Sequence, residues 1–277
     1  STRLNIKGDF IDVQGSGYGI TMRKTGDFDI NVDRIHCADF AAVYVREEGV
    51  DKFDGTIRFK AQQIRQYAGG SAGYCILFTQ VTTGADIVID VQELIVEVAG
   101  SHAIGSNFQE GGNIIVNVGK IETIGTGILS RDGTGGTFTV DTVYANATTG
   151  NPLVWAYNMS GTHSFVANIK KGISSHATNA VSLTSNHANK IKLSGTIIST
   201  DAGAVGISMN GTNAGATLIT DDLTLISAGT ISIENTDAVL KNIQVNGRLS
   251  TNKPFSVGKI ANFIAGSNII IDANITE

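Results

Sequence analysis

The sequence predicts an all-β chain, a right-handed, single-stranded parallel β-helix of about ten stacked coils. Three observations predict it: a short apolar tripeptide that returns along the whole chain, a second alternating segment at a near-constant distance behind it, and a polar turn cluster between the two.

The tripeptide is an aliphatic residue, a variable residue and a second, usually apolar one. It reads Ile20-Thr21-Met22, Val43-Tyr44-Val45, Ile76-Leu77-Phe78, Ile104-Gly105-Ser106 and Ile128-Leu129-Ser130. It continues as Val154-Trp155-Ala156, Val181-Ser182-Leu183, Ile207-Ser208-Met209, Ile231-Ser232-Ile233 and Phe255-Ser256-Val257. Steps between first members run from 23 to 33 residues, a period with loop insertions.

The second segment follows 10 residues later at Ile30, Phe138 and Ile191, and 11 residues later at Ile87, Phe165 and Leu218. Stretches such as Asp86-Ile87-Val88-Ile89-Asp90 alternate with period two, as half-buried strands do. Ala61 to Tyr67 is the best helical candidate and reads equally well as strand. The turns are Glu110-Gly111-Gly112-Asn113, Asp132-Gly133-Thr134-Gly135-Gly136 and Asn210-Gly211-Thr212-Asn213, rich in residues that accept positive φ or bond their own backbone. Leu4 to Met22 can be laid over Ile191 to Met209 without a gap, in one apolar phase.

One such coil cannot bury its apolar side alone; stacking neighbours does. With strands about 4.8 Å apart, ten coils make a rod about 48 Å long. A sandwich or barrel would need hairpins at much shorter intervals. The expected inward column is Ile20, Val43, Ile76, Ile104, Ile128, Val154, Val181, Ile207, Ile231 and Phe255.

Composition agrees. Among 277 residues there are 33 Gly and 2 Pro, with 42% hydrophobic, 6% aromatic and 16% charged. A narrow solenoid core filled by Ile, Val and Leu fits such a balance. A net charge of −5 argues against a nucleic-acid surface. No apolar run approaches the roughly 18–20 residues of a membrane span. Cys37 and Cys75 fall at different phases of the repeat, so free buried thiols are expected.

The repeat resembles the pectin-lyase-like superfamily of right-handed β-helices, which includes polysaccharide lyases and hydrolases, phage tailspikes and surface adhesins. The resemblance is architectural, spans nearly the whole chain, and is closest in character to tailspike and fibre β-helix domains. The enzyme motifs of that superfamily are missing. Asp221-Asp222 lies inside the strand-like Ile219-Thr220-Asp221-Asp222-Leu223-Thr224, with no Gly-His-Gly or Arg-Ile-Lys. Trp155 is followed by Ala156-Tyr157, not by the Ile-Asp-His of pectate lyases.

Candidate chemistry is sparse. Glycoside hydrolysis needs two carboxyl groups about 5–9.5 Å apart. The densest acidic stretch, Arg46 to Asp54, falls in the longest insertion. Glu110 and Asp132 lie in equivalent turns one coil apart, with Arg131 alongside to meet an anionic sugar; solvated turn residues explain them as well. Asp27, Asp29 and Asp33 share a strand face that could seed a calcium site, or simply face water. The five histidines have no metal-ligand spacing. Neither metal nor cofactor is expected. Four Asn-X-Ser/Thr triplets, at Asn146, Asn158, Asn210 and Asn274, matter only in a secreted eukaryotic protein.

The middle residue of the tripeptide should point outward. Tyr44, Leu77, Leu129 and Trp155 then form an apolar stripe, followed by Ser182, Ser208, Ser232 and Ser256. Such a stripe marks an interface, unless the long turn insertions cover it. Tyr44 and Trp155 could also serve as a sugar platform. The expected function is a non-catalytic structural or receptor-binding module of a tailspike or fibre, forming a homotrimer on a virion or at a cell surface and meeting a surface glycan. The alternatives are a polysaccharide-degrading enzyme, a glycoside hydrolase or lyase, and a bacterial adhesin domain. Residues 1–277 read as one domain. Both ends break off mid-coil, at Leu4-Asn5-Ile6 and Asn268-Ile269-Ile270-Ile271-Asp272, so another domain or assembly protein is expected to cover at least one of them.

Overall fold

The computed structural model describes residues 3–15, 17–23, 25–47, 51–68, 73–107, 111–131, 136–146, 153–157, 164–175, 178–184, 190–210, 217–227, 229–235, 241–256, 260–265, 270–272 and 275–276. Among them every regular element is a strand, and the strands alternate between long and short. The first four long strands are Arg3–Val13, Asp27–Cys37, Thr56–Gln66 and Asp86–Val96; the short strands between them begin with Tyr18–Arg23, Ala41–Arg46 and Tyr74–Thr79. Ala61 to Gln66 is strand. The long strands form one parallel sheet and the short strands a second, each with eleven strands along its path, rather than ten. Each strand therefore pairs with the strand one coil away in sequence, and the chain is a parallel β-helix.

Each long strand contains a corner. In Thr56–Gln66, Ile57, Phe59 and Ala61 point inward at period two, and the next inward residues are Ile64 and Gln66. That three-residue step is a change of phase. The ladder skips one residue at the same place in successive coils: Asp9, Asp33, Gln62, Gln92, Gly119 and Asp141 lack a register partner while the residues on either side are paired. A long strand is thus two straight runs meeting at a bend. In the later coils the bend moves to Gly195, Asp222 and Gly247, all at positive φ, with register shifts beside them.

Inside, like residues pile on like. Ile57, Ile87 and Ile114 stack in register, as do Phe59, Ile89, Val116 and Phe138. Where the second column gives way to the large Phe138, the first gives way to Gly136; a Cβ there would lie 3.1 Å from Phe138 Cζ. Phe138 leans into the vacant position and meets Phe165 with ring centroids 5.5 Å apart. Cys37 and Cys75 are free and buried, and burial raises both thiols above their ordinary range. The Cys75 thiol donates to the carbonyls of Ile95 (3.4 Å) and Ile64 (3.7 Å).

The inward column of the short strands is found buried at Ile20, Val43, Ile76, Ile104, Ile128, Val154, Val181, Ile207 and Phe255. The ninth position differs. Ile207 pairs with Ile233, and Ile233 with Phe255; Ile231 lies outside the ladder and is half-buried. The Ile-Ser-Ile triplet offers two equivalent apolar residues, and the register of the neighbouring coils selects the second. The outward residue of that coil is accordingly Glu234 rather than Ser232, and Ser232 is buried.

Candidate functional site

The outer face of the short-strand sheet carries the predicted interface residues, but not as an exposed stripe. Tyr44, Leu77 and Leu129 are 7%, 1% and 2% exposed, and Trp155 is half-buried at the end of the row. They form a second apolar cluster with Ala41 and Tyr74, with Phe40 and Trp155 against it. The cover includes side chains of this sheet and of the turn entering it. Gly105 lies between Leu77 and Leu129 in the outward column. A Cβ at Gly105 would come within 2.4 Å of Tyr74 Cε1, so the Tyr74 ring occupies the space this glycine leaves. Ring contacts continue from Tyr74 to Phe40 and His102, and through Phe40 to Tyr44 and Tyr18, at centroid separations of 5.0–5.9 Å. Sequence alternation gives the side of the sheet on which a residue lies; it does not give what folds over that side.

The polar groups on this face serve the cluster. Arg46 lies over the Tyr44 ring, 5.1 Å from its centroid, and pairs with Glu47. Thr79 donates to Glu47 at 3.0 Å. Burial raises the Tyr74 phenol, against the opposing influence of a hydrogen bond with Asn107 and the charge of Arg131. His102 is 8% exposed, its Nδ1 has no hydrogen-bond partner, and burial lowers its pKa to about 4. It is a neutral imidazole packed against the Tyr74 ring, with the two planes tilted by 37°.

Of the acid–base candidates, Glu110 and Asp132 lie outside the described residues. Arg131 is exposed at the end of its short strand, in register with Asn107 and Tyr157. Asp29 is paired with Arg3 at 3.5 Å, and Asp33 sits at the corner of its strand. Among the described residues no three His, Cys, Asp or Glu converge as metal ligands. Asp221 pairs with Lys192 at 2.5 Å, while Asp222, at φ +49°, accepts the backbone N–H of Arg248 at 2.9 Å. That adjacent pair is part of the corner.

The feature that sequence reasoning missed is a groove of about 600 Å³ on the outside of the long-strand sheet, along the line of corners. It crosses five consecutive coils and is lined by Asn31, Lys60, Gln62, Asp90, Gln92, Asn117, Thr139 and Asp141, with Ala61, Val91 and Val118 among its floor residues. Two outward columns face it. Asn31, Lys60, Asp90, Asn117 and Thr139 stand in register just before the bend. Gln62, Gln92, Gly119 and Asp141 sit at the bend itself. The volume is of the size that holds small ligands, roughly 300–1,000 Å³.

Hydrogen bonding separates this groove from the surface beside it. On the next outward column Gln63 donates to Glu93 at 2.7 Å, and Lys120 pairs with Glu122 and Glu93. Further along, Arg65 makes a bidentate pair with Glu97. On the column before the groove Arg58 is bound to Asp86, which is held below the usual carboxylate range chiefly by that bond. Within the groove Asn117 donates to Asp90 at 2.8 Å. Asn31, Lys60, Gln62, Gln92 and Asp141 have no side-chain hydrogen bond or ion pair among the described residues. The sequence signal for the groove was available: the three-residue step from Ala61 to Ile64, Val91 to Leu94 and Val118 to Ile121 marks the bend in each coil.

Comparisons of the chain with protein-family models, with curated proteins and with solved structures find no match.

Proposed function

We propose that this chain is a non-catalytic β-helical module that holds a receptor-binding surface rigidly at a distance, as in phage tailspikes and fibres, and that it works as a trimer on a virion or at a cell surface. The observation that carries the reading is the unbroken pairing of the long strands from Arg3–Val13 to Ile260–Ala265, coil upon coil. Such a ladder has almost no internal hinge, because bending it would break hydrogen bonds in both sheets at once. A rod of that kind suits a shaft that bears load and carries recognition groups on its sides.

Association is supported by apolar residues that remain outside. Tyr144, Ile173 and Ile198 follow one another in one outward column of the long-strand sheet, with Ile95 on the far side of Glu122; Tyr144 is 41% exposed and the isoleucines are half-buried. The buried Tyr44–Leu129 row is not the surface on which copies would meet. Light scattering at several concentrations, combined with small-angle X-ray scattering, tests the reading. A trimeric rod is the expected result. A monomer at all concentrations refutes the oligomer, and release of oligosaccharides from a capsular polysaccharide panel refutes the non-catalytic assignment.

A further inference from the structure

We propose that Lys241 and Asn235 become joined side chain to side chain, by an amide cross-link that the chain forms in its own interior with loss of ammonia. The inference stands apart from the receptor-binding reading.

Its starting point is a lysine in the wrong place. Among the described residues Lys241 is the only Lys, Arg, Asp or Glu that is buried, at 1% exposed. It opens the long strand Lys241–Thr251 and heads an inward row that continues with the buried Ile243 and Val245. Asn235, 2% exposed, directly follows the short strand Ile233–Glu234 of the same coil. The two side chains meet inside. Lys241 Nζ lies 3.3 Å from Asn235 Oδ1 and donates a hydrogen bond to the Met209 carbonyl oxygen. Met209, Ile233 and Phe255, from this coil and the two beside it, are all buried, so the setting is apolar.

Contact, fixed orientation and a dry surrounding are what acyl transfer from an amide to an amine requires. The carbonyl carbon Cγ is one C=O bond, about 1.2 Å, from the oxygen that Nζ already touches. The attacking form is the free amine, which a desolvated interior favours over an ammonium. Its nitrogen adds to Cγ, the Cγ–Nδ2 bond breaks, and a proton passes from Nζ to Nδ2, which leaves as ammonia. No oxidant, reductant or other reactant enters. The product amide keeps one N–H, so the Met209 carbonyl keeps its donor. The linked nitrogen no longer takes up a proton, and the interior is spared a charge that is costly to bury. The bond also braces a thin part of the rod. Ile233–Glu234 and Phe255–Ser256 have two residues each, against six in Tyr74–Thr79. A link from Asn235 to Lys241 ties the short-strand sheet to the long-strand sheet there.

The test takes the full chain, folded and purified, then denatures it for intact mass measurement and tryptic mapping. The expected mass is that of the sequence less one ammonia, with no cleavage after Lys241. Fragmentation of the uncleaved peptide should release no separate pieces from between Asn235 and Lys241. Asn235→Ala should show its full sequence mass and regain cleavage after Lys241. Lys241→Met, similar in shape but without the amine, should also show its full mass. A variant that fails to fold would lack the bond as well, so the parent's own fragment map decides. Parent protein at full mass, cut by trypsin after Lys241, overturns the proposal. So does a loss of ammonia that maps to another asparagine or persists in Asn235→Ala.

Discussion

Gly105→Ala is the substitution through which the outer cluster is best tested. The glycine has no positive φ to protect, so its role lies in the space it leaves. An alanine methyl would fall 2.4 and 2.5 Å from Tyr74 Cε1 and Cδ1, and 3.0 Å from Leu77 Cδ1. Carbon atoms prefer about 3.5–4.0 Å, so a sideways relaxation of a few tenths of an ångström is not enough. The ring must leave, or the short strands must separate. Overpacking of this kind costs about 1–3 kcal/mol, and it also strips the cover from Leu77 and Leu129. With Tyr74 truncated, the two closest approaches are gone and the methyl meets Leu77 Cδ1 at 3.0 Å, the far end of a side chain that can shift. There Gly105→Ala should be neutral, or stabilise by about 0.4–1 kcal/mol through a stiffer unfolded chain. The assay is a double-mutant cycle: urea midpoints for the parent, Gly105→Ala, Tyr74→Ala and the double variant, at one protein concentration. The expected result is a coupling of about 1–3 kcal/mol, in the sense that Tyr74→Ala rescues Gly105→Ala. Equal costs in both backgrounds would show that Tyr74 does not cover this row and would return the stripe to the surface.

Further outcomes follow from the same geometry. Ile128→Ala empties a fully buried inward position and should cost about 2–5 kcal/mol; a loss below about 1 kcal/mol would place that residue outside the core. Leu129→Asp puts a carboxylate at a 2% exposed site, so it should lower the melting temperature of each subunit; a variant that only dissociates, with its melt intact, contradicts the buried placement. His102 gives a pH signature. Its folded pKa of about 4 lies below the unfolded value near 6.5, so the neutral ring's contribution is whole above pH 6.5 and is lost as pH falls towards 4. The loss amounts to about 3 kcal/mol. In His102→Phe this part of the acid sensitivity should vanish, so the difference in urea midpoint between parent and variant should shift in the variant's favour across that window; a difference flat with pH refutes the burial of the imidazole.

What the sequence determined is the coil. Inward residues recur because each strand exposes alternate side chains to opposite faces, and an apolar residue placed one coil further on meets its own kind. That logic is local and periodic, so Ile20, Val43, Ile76 and their successors could be read as a column before any coordinates were known, and the free buried thiols with them. What the tertiary structure decided is everything that depends on contact between coils. In Ile231-Ser232-Ile233 both isoleucines satisfy alternation, and only pairing with Ile207 and Phe255 picks Ile233. Tyr44, Leu77 and Leu129 lie on the outward side as alternation requires, yet they are buried, because Tyr74 extends over the glycine of the following coil. The groove arises where a phase slip repeats at one place in successive coils, from Asp33 to Asp141, and its polar side chains converge only once the coils are stacked. Alternation is a property of one strand; cover, register and concavity are properties of neighbours, and a single strand's sequence does not name its neighbours.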